Sequence, residues 1–360
     1  MLTSRTNVRE DFGADDAFEA VGSIFEKVDE KGLAMSLVSV TLGSGLRTFA
    51  EQFLGEQSKA VVIPTREIPH FPIPRTAAAG HDGNLIITPI DGDPKETMAI
   101  WAGRVHFYQT ILQRLQNGEV EKIADPEVKR AAVVFYIAIA RVMGVSHILT
   151  SNAVGSVRPE KDKVGDIIRV SDHILDPDED FGVPEDERWF ADKAKQQRAA
   201  GKEYSYGNED YFYSQANLYS PEVFELAQQV ARDMGMPDLK EGVLHWRKGR
   251  GYESPAMIQA VHTKGAHLAA MSTAPEAQKA RSIGFSNQPG GRHFASFSVV
   301  TNVAQLKHSQ KLVHGEVAEA GNKVEATFNP FMLEIVKRIA AKARVAAAPQ
   351  VTVDDVVVEL

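Results

Sequence analysis

The stretch AAVVFYIAIARVMGVSHILTSNAVGS, residues 131–156, decides the fold class because it places a helix directly before a strand. Its first part, Ala131–Met143, is apolar almost all round, which is typical of a buried helix. Its second part, SHILTSNAVGS, predicts a strand that ends in a loop of small residues. A helix that leads at once into a strand indicates an α/β architecture.

The same alternation extends outward from this stretch in both directions. Apolar runs bounded by turn residues predict further strands, namely SLVSVTL, AVVIP, LIITPI and TMAIWAG before it, and VGDIIRVSDHI, GVLHW, HLAAMS and FASFSVVTN after it. Helical spacing predicts helices over Asp15–Lys31, Pro221–Met234, Pro255–Thr263, Pro275–Ser282, Leu312–Ala320 and Pro330–Val345. The pattern therefore predicts a largely parallel or mixed central sheet flanked by helices.

The chain divides by composition into one long domain and a short tail. Residues 1–345 are predicted to form a single domain, and residues 346–360 a C-terminal tail. Within the domain, residues 175–219 are rich in Asp, Glu, Lys, Gln and Tyr and poor in aliphatic side chains. We interpret this segment as a polar excursion on the surface.

Charge and cysteine content exclude several classes of function. The formal net charge of −8 over 360 residues argues against nucleic-acid binding, which requires clustered basic residues. The absence of cysteine excludes disulfides and a cysteine nucleophile, and no histidine spacing typical of zinc is present, so no metal is expected. No segment resembles a secretory signal or a membrane span, so we expect a cytoplasmic location and no membrane partner.

The segment AGRVHFY, residues 102–108, has an unusual polar composition. Read as a strand, it places Arg104, His106 and Tyr108 on one face. A solvated strand face would more commonly carry Lys, Thr or Glu. Because Arg offers a forked donor to phosphate, and His and Tyr add hydrogen bonds, the row favours a binding site for an anion.

Other candidate residues follow the predicted strands, where ligands of α/β proteins gather. Each also has a structural explanation: Ser44 in TLGSGL and Asn302 in VVTN could be turn residues, and Ser272 in MST could cap a helix. Glu253 in GYES precedes a helix that Ser254 could cap. Singly, these signals leave the function open.

Taken together and in order, the segments GSGL, GHDG, GRVHFY, SNAVG, GYES, AAMSTAPE, TN and VHGEV resemble the purine nucleoside phosphorylases of the trimeric, low-mass class, over residues 36–344. The resemblance implies a central mixed β-sheet partly closed into a distorted barrel. It also implies phosphate-dependent cleavage of purine nucleosides to a free base and ribose 1-phosphate, a pentosyltransferase reaction of purine salvage. Inorganic phosphate would be a co-substrate, and no cofactor is expected.

Site roles follow from the resemblance position by position. It implies a phosphate site formed by Ser44, His81, Arg104, His106, Ala153 and Ser272. It implies ribose contacts from Tyr108, Tyr252, Met271 and His314, with Phe212 as the aromatic that a neighbouring subunit would lend in a homotrimer. It places the base against Val154, Glu253 and Asn302, and it gives catalytic roles to Asn302, Glu253 and His106.

Departures from the family pattern concern base specificity more than the reaction. Arg250 stands where the family usually has proline, Val303 where lysine is common, Ser156 for a glycine and Gly315 for an acidic residue. The leading prediction is activity on 6-oxopurine nucleosides such as inosine and guanosine. The alternatives are an S-methyl-5′-thioadenosine phosphorylase, disfavoured by Asn302 and His314, and a non-catalytic nucleoside-binding homologue.

Overall fold

The computed structural model describes most of the chain. The described residues are 12–43, 46, 48–55, 58–75, 83–115, 117–175, 181, 214–303 and 314–346, with side chains from 319 to 343 in the last helix. The predicted tail and most of the polar excursion lie outside these residues, so the proposed domain division stays a prediction.

Twelve strands form two sheets in the described part of the chain. The main sheet has nine strands in the order β11-β10-β9-β12-β8-β1-β5-β4-β2, and the small sheet has the order β3-β6-β7. The strands are β1 Val38–Thr41, β2 Val61–Pro64, β3 Ile73–Arg75, β4 Asn84–Ile90, β5 Asp93–Ala102, β6 Thr110–Arg114, β7 Val120–Lys122, β8 His147–Ser156, β9 Ile167–Ile174, β10 Lys240–Trp246, β11 Leu268–Ala270 and β12 His293–Val303.

The main sheet is mixed and closes on itself at one end. Strand β8 pairs in parallel with β1 and β12, whereas β9 runs antiparallel to β12. The short strand β11 pairs in parallel with β10 and antiparallel with the end of β8, so β8, β12, β9, β10 and β11 form a closed barrel of five strands. The expected mixed sheet, partly closed into a barrel, is confirmed.

Seven helices of the described residues flank the sheets. They are α1 Ala14–Asp29, α2 Thr48–Glu51, α3 Pro126–Val142, α4 Pro221–Asp233, α5 Pro255–Thr263, α6 Ala274–Ser282 and α7 His314–Ala346, with a 3-10 turn at Thr65–Glu67. Helices α3, α4 and α5 begin with a capping side chain (Asp125, Ser220 and Ser254) followed by proline, which explains why the sequence located the starts of α4 and α5 closely. Helix α3 begins at Pro126, five residues before the predicted Ala131.

Helix α3 is enclosed as predicted, because it packs between neighbouring elements rather than at the surface. Every residue from Ala131 to Val142 is buried, and α1 and α6 both contact α3. The charged-looking helix α6 is also buried, including Glu276, Gln278 and Lys279. Buried ionic groups require partners inside the protein, so α6 marks a place where polar interactions are concentrated.

Three sequence interpretations were wrong. Residues Arg104–Tyr108 form no strand, because β5 ends at Ala102 and Gly103, with φ of +126°, turns the chain away from the sheet. The small residues of TSNAVGS are not a loop, because β8 continues through Ser156. The two predicted C-terminal helices are one helix, α7, which passes through Pro330 and packs along β12, β1, β4, β8 and α4.

Candidate active site

The candidate site lies at a gap beside β8. Strand β1 pairs with β8 up to Thr150, and β11 takes over that side of β8 only at Gly155. Among the described residues, the stretch 151–154 therefore has a strand neighbour, β12, on one side only. In sheets of this kind, ligands bind where neighbouring strands diverge, which makes this gap the natural place for a site.

The turn after β1 packs directly on this gap. A Cβ at Gly43 would lie 2.6 Å from Asn152 Cα and 2.8 Å from the Ser151 carbonyl oxygen, so only glycine fits there. The Gly43 amide donates to Ser151 Oγ at 3.2 Å. The predicted phosphate ligand Ser44 comes next in the sequence but lies outside the described residues.

Arg104 fills the gap from the other side. Its Nη1 donates to the Ser151 carbonyl oxygen at 2.8 Å and to Ser272 Oγ at 3.4 Å. Its Nε lies 2.9 Å from Glu276 Oε1, with both side chains about 95% buried (4% and 5% exposed). Its Nη2 has no hydrogen-bond partner among the described residues. A buried guanidinium with an unused donor is suited to bind an anion.

A second layer of polar groups lies behind this guanidinium. Glu276 Oε2 has no hydrogen-bond partner among the described residues. Burial raises the pKa of Tyr136 well above its usual value, and the Glu276 carboxylate adds to that rise, whereas Arg104 lowers it. The Tyr136 phenol therefore stays neutral and lies in the electrostatic field of the Arg104–Glu276 pair, close to Thr41.

Two aromatic rings stand next to the guanidinium. The His106 and Tyr108 rings stack with centroids 5.0 Å apart and planes at 13°. The segment is a turn, in which the Gln109 amide donates to the His106 carbonyl oxygen and the His106 amide donates to Gln109 Oε1. Burial raises the pKa of Tyr108, and the neighbouring Tyr252 raises it further. The two tyrosines, each partly exposed, thus lie close together at the mouth of the site.

The turn between β11 and α6 carries Met271, Ser272 and Thr273. Ser272 does not cap α6, because the N-cap is Thr273; the Ser272 hydroxyl accepts from Arg104 instead. Thr273 is buried with φ of +80°, an unusual conformation for a β-branched residue. Such strain is often found at functional sites, and here it adjoins Ser272, whose hydroxyl accepts from Arg104. The half-buried Met271 adjoins Ser272 at the end of β11.

The predicted base-binding residues lie on the adjacent strands β8 and β12 and in the loop after β10. Asn302 sits on β12 opposite Gly155, where a Cβ would come within 2.9 Å of the Asn302 Nδ2. The Thr301 hydroxyl lies 3.2 Å from the Val154 carbonyl oxygen and 3.3 Å from Asn302 Oδ1, so its one proton is shared between these two acceptors. The neighbouring Val154 is 2% exposed. Glu253 lies in the loop after β10, where Ser254 caps α5 as anticipated.

Glu253 is paired within the chain. Its Oε1 lies 3.4 Å from Arg247 Nη1, and the two side chains are 12% and 21% exposed. The sequence predicted no role for Arg247, and Glu276 was predicted only as part of the motif AAMSTAPE, with no contact assigned to it. In a sequence, an acidic residue within a short helix or a basic residue after a strand usually indicates an exposed position. Only the burial of Glu276 and Arg247 in the structure shows that they belong to the site.

Four predicted site residues cannot be placed. Ser44, His81 and Phe212 lie outside the described residues, and for His314 only its place at the start of α7 is described. The structure connects Arg104, His106, Tyr108, Tyr252 and Ser272 in one cluster, and it places Ala153, half-buried, within the gap beside β8.

The composition of the described residues also bears on metal binding and membrane insertion. No group of three or more His, Asp or Glu side chains there could hold a metal ion. No helix in that part of the chain is long and apolar enough to cross a membrane.

Comparisons with known proteins agree with this fold. The family model of the phosphorylase superfamily matches residues 124–337, more than half of the chain. Purine nucleoside phosphorylase 1 of Geobacillus stearothermophilus is 28% identical over 322 residues, which cover 89% of this chain and 98% of the relative. Purine nucleoside phosphorylase of Mycobacterium tuberculosis is 29% identical over 310 residues, covering 86% and 92%.

The solved structures show the same architecture. Schistosoma mansoni purine nucleoside phosphorylase in complex with inosine superposes with a TM-score of 0.66 at 23% identity, over 91% of this chain and 97% of that chain. A Schistosoma purine nucleoside phosphorylase in complex with hypoxanthine gives 0.66 at 22% identity, over 91% and 98%. The resemblance to purine nucleoside phosphorylases, and with it the assignment to an enzyme family of pentosyltransferases, is confirmed.

Proposed function

This chain belongs to the phosphorylase superfamily, and from that premise we propose that it cleaves the N-glycosidic bond of 6-oxopurine nucleosides, such as inosine and guanosine, with inorganic phosphate. The products are the free base and ribose 1-phosphate, and the role is purine salvage. The observation that carries the proposal is the Arg104 guanidinium, which lies beside Ser272 at the gap along β8 and keeps Nη2 without a described partner.

Phosphate binds at Arg104 in this mechanism. The Arg104 Nη2, the Ser272 hydroxyl, His106 and the Ala153 backbone supply donors, with Ser44 and His81 completing the set. Charge-assisted hydrogen bonds hold the dianion without consuming its charge. The bound phosphate then stabilises the cationic, oxocarbenium-like ribosyl group from one face and finally forms the new bond to its anomeric carbon.

The ribose lies between the phosphate and the base. Tyr108 and Tyr252 are close neighbours at the mouth of the site, and Met271 adjoins Ser272. These three side chains, together with His314, form the proposed sugar pocket. Phe212 of a neighbouring subunit closes it in the proposed homotrimer.

The departing purine carries developing negative charge at N7 and O6. The Asn302 amide, whose Oδ1 lies beside the Thr301 hydroxyl, donates to this edge through Nδ2, and Glu253 accepts from N1–H. Val154 supplies an apolar wall against the base. Adenine has no N1–H, so a carboxylate at this position favours 6-oxopurines. No cofactor takes part in the proposed reaction, and the cytoplasmic location stays a prediction.

Phosphate dependence tests the proposal. The protein is incubated with inosine, adenosine or S-methyl-5′-thioadenosine, with and without phosphate, while the purine absorbance is followed. We expect turnover of inosine only when phosphate is present, and the Arg104→Ala variant should chiefly weaken the use of phosphate. Turnover of adenosine-type substrates alone would contradict the 6-oxopurine assignment. No turnover of any of them would favour a non-catalytic nucleoside-binding protein.

A further inference from the structure

We propose that Arg247 determines which purine bases the site accepts, so that bases without a 2-amino group, hypoxanthine and xanthine, are preferred over guanine. The inference rests on the proposed function, because it takes Glu253 as the acceptor for the base N1–H. It concerns position 2 of the purine ring, next to N1, which the proposed reaction leaves undefined.

The position of Arg247 is fixed by the barrel. Its backbone amide donates to the Ala270 carbonyl oxygen at 2.9 Å, which continues the β10–β11 pairing beyond Trp246. Its side chain turns back over the loop, with Nη2 near Gly249 and Nη1 3.4 Å from Glu253 Oε1. The guanidinium and the carboxylate are both mostly buried, so they act as one unit in the site.

This pairing changes what Glu253 offers to a base. A free carboxylate has two oxygens and can accept from two adjacent donors at once. Guanine presents such a pair, N1–H and the 2-amino group, whereas hypoxanthine presents N1–H alone. Because Arg247 shares Oε1, Oε2 is the one oxygen left entirely for the base. One acceptor matches hypoxanthine and leaves one guanine donor unmatched.

Arg247 also places donors where the 2-substituent would lie. Asn302 comes from β12 and Arg247 from the end of β10, which are not neighbours in the five-stranded barrel, so the two residues approach different edges of the base. With Asn302 at the N7 and O6 edge, the guanidinium is left beside position 2. A 2-amino group there meets another donor, whereas the 2-oxo group of xanthine meets a complementary one.

The experiment compares wild type with Arg247→Met, measuring kcat/KM for inosine, guanosine and xanthosine at saturating phosphate. In the wild type, guanosine should be the poorest of the three. In Arg247→Met the guanosine to inosine ratio should rise on the order of tenfold, because an unmatched buried donor is worth about that factor. Lys248→Met removes an equal charge from an exposed position of the same loop and should leave the ratio unchanged.

Calorimetric binding of hypoxanthine, xanthine and guanine to both proteins gives a readout independent of turnover. We expect the wild type to bind guanine more weakly than hypoxanthine or xanthine, and this difference should be smaller in Arg247→Met. Guanine bound as tightly as hypoxanthine by the wild type, or an unchanged ratio in Arg247→Met, overturns the inference. Failure of every nucleoside to turn over would refute the proposed function instead, and the base-binding measurements would still decide the role of Arg247.

Discussion

Removal of the Glu276 carboxylate tests whether the Arg104 guanidinium is held in place by its buried ion pair. In Glu276→Ala, Arg104 loses the carboxylate 2.9 Å from Nε, and both side chains of this pair are about 95% buried. Breaking a buried pair by removing one partner costs about 3–5 kcal/mol, because the remaining charge is left without compensation. Urea unfolding should therefore show a fall of this size in the free energy of unfolding.

The same variant should also weaken phosphate use. Without Glu276, the described residues that hold the guanidinium are Ser151, through its carbonyl oxygen, and Ser272, through its hydroxyl, both at Nη1. A guanidinium held at one nitrogen can rotate. We therefore expect KM for phosphate to rise by about tenfold, which corresponds to the loss of one hydrogen bond. Glu276→Gln keeps an oxygen beside Nε but not the charge of the ion pair, so its KM should lie between those of the wild type and Glu276→Ala.

The barrel offers a matched control. Asp162 forms a comparable buried pair with Arg158, at 2.9 Å between Nε and Oδ2, and its side chain is fully buried. Asp162→Ala should lose similar stability while KM for phosphate stays unchanged. If Glu276→Ala loses stability but binds phosphate as tightly as Asp162→Ala does, the positioning argument is refuted.

Three further predictions concern other parts of the structure. Gly155→Ala should lower kcat for inosine by at least tenfold, because the new Cβ would lie 2.9 Å from the Asn302 Nδ2 and displace the amide. Circular dichroism should show little loss of helix and sheet signal. A normal kcat would contradict the role of Asn302. Gly43→Ala should be destabilised by several kcal/mol (on the order of 3) in urea unfolding, because its Cβ would meet backbone atoms of β8 that have no room to move; wild-type stability would show that the turn can shift. Burial lowers the pKa of His147 to about 3, and the stacked His293 contributes to that fall. As pH drops, His147 is therefore protonated in the unfolded chain before it is protonated in the folded chain. The free energy of unfolding should thus fall as pH drops from about 6.5 toward 3, by at most about 1.4 kcal/mol per pH unit for this proton, and His147→Gln should flatten that slope.

Local signals explain which parts of the fold the sequence could predict. The starts of α4 and α5 were located because Ser220 and Ser254 cap helices that begin with proline, and both features are local. The closure of the barrel depends on the pairing of Leu268 with Ser156, two residues far apart in sequence. Periodicity carries no information on such pairs, so the barrel was expected only through the family resemblance.

The segment Arg104–Tyr108 shows why alternation can mislead. Its polar residues alternate with apolar ones, yet the positive φ of Gly103 ends the strand before them. Burial does not follow the alternation either, since Arg104 and Val105 are both buried. The stacking of His106 on Tyr108 nevertheless keeps these two side chains together, as the strand interpretation had predicted. Contacts such as Arg247 with Glu253 depend on loop geometry and could not be predicted.

The two sides of the gap beside β8 should differ in local stability. On one side it is built from β8 and β12, whose paired backbone runs through the core of the sheet. Amide protons in such strands exchange with solvent only when most of the domain unfolds. Tyr252 and Glu253, in contrast, lie in a loop whose amides can exchange through small local openings. Hydrogen exchange should therefore be slow along β8 and β12 and fast at Tyr252 and Glu253, so that the strand side of the site is rigid before any ligand binds while the loop side can adapt to it.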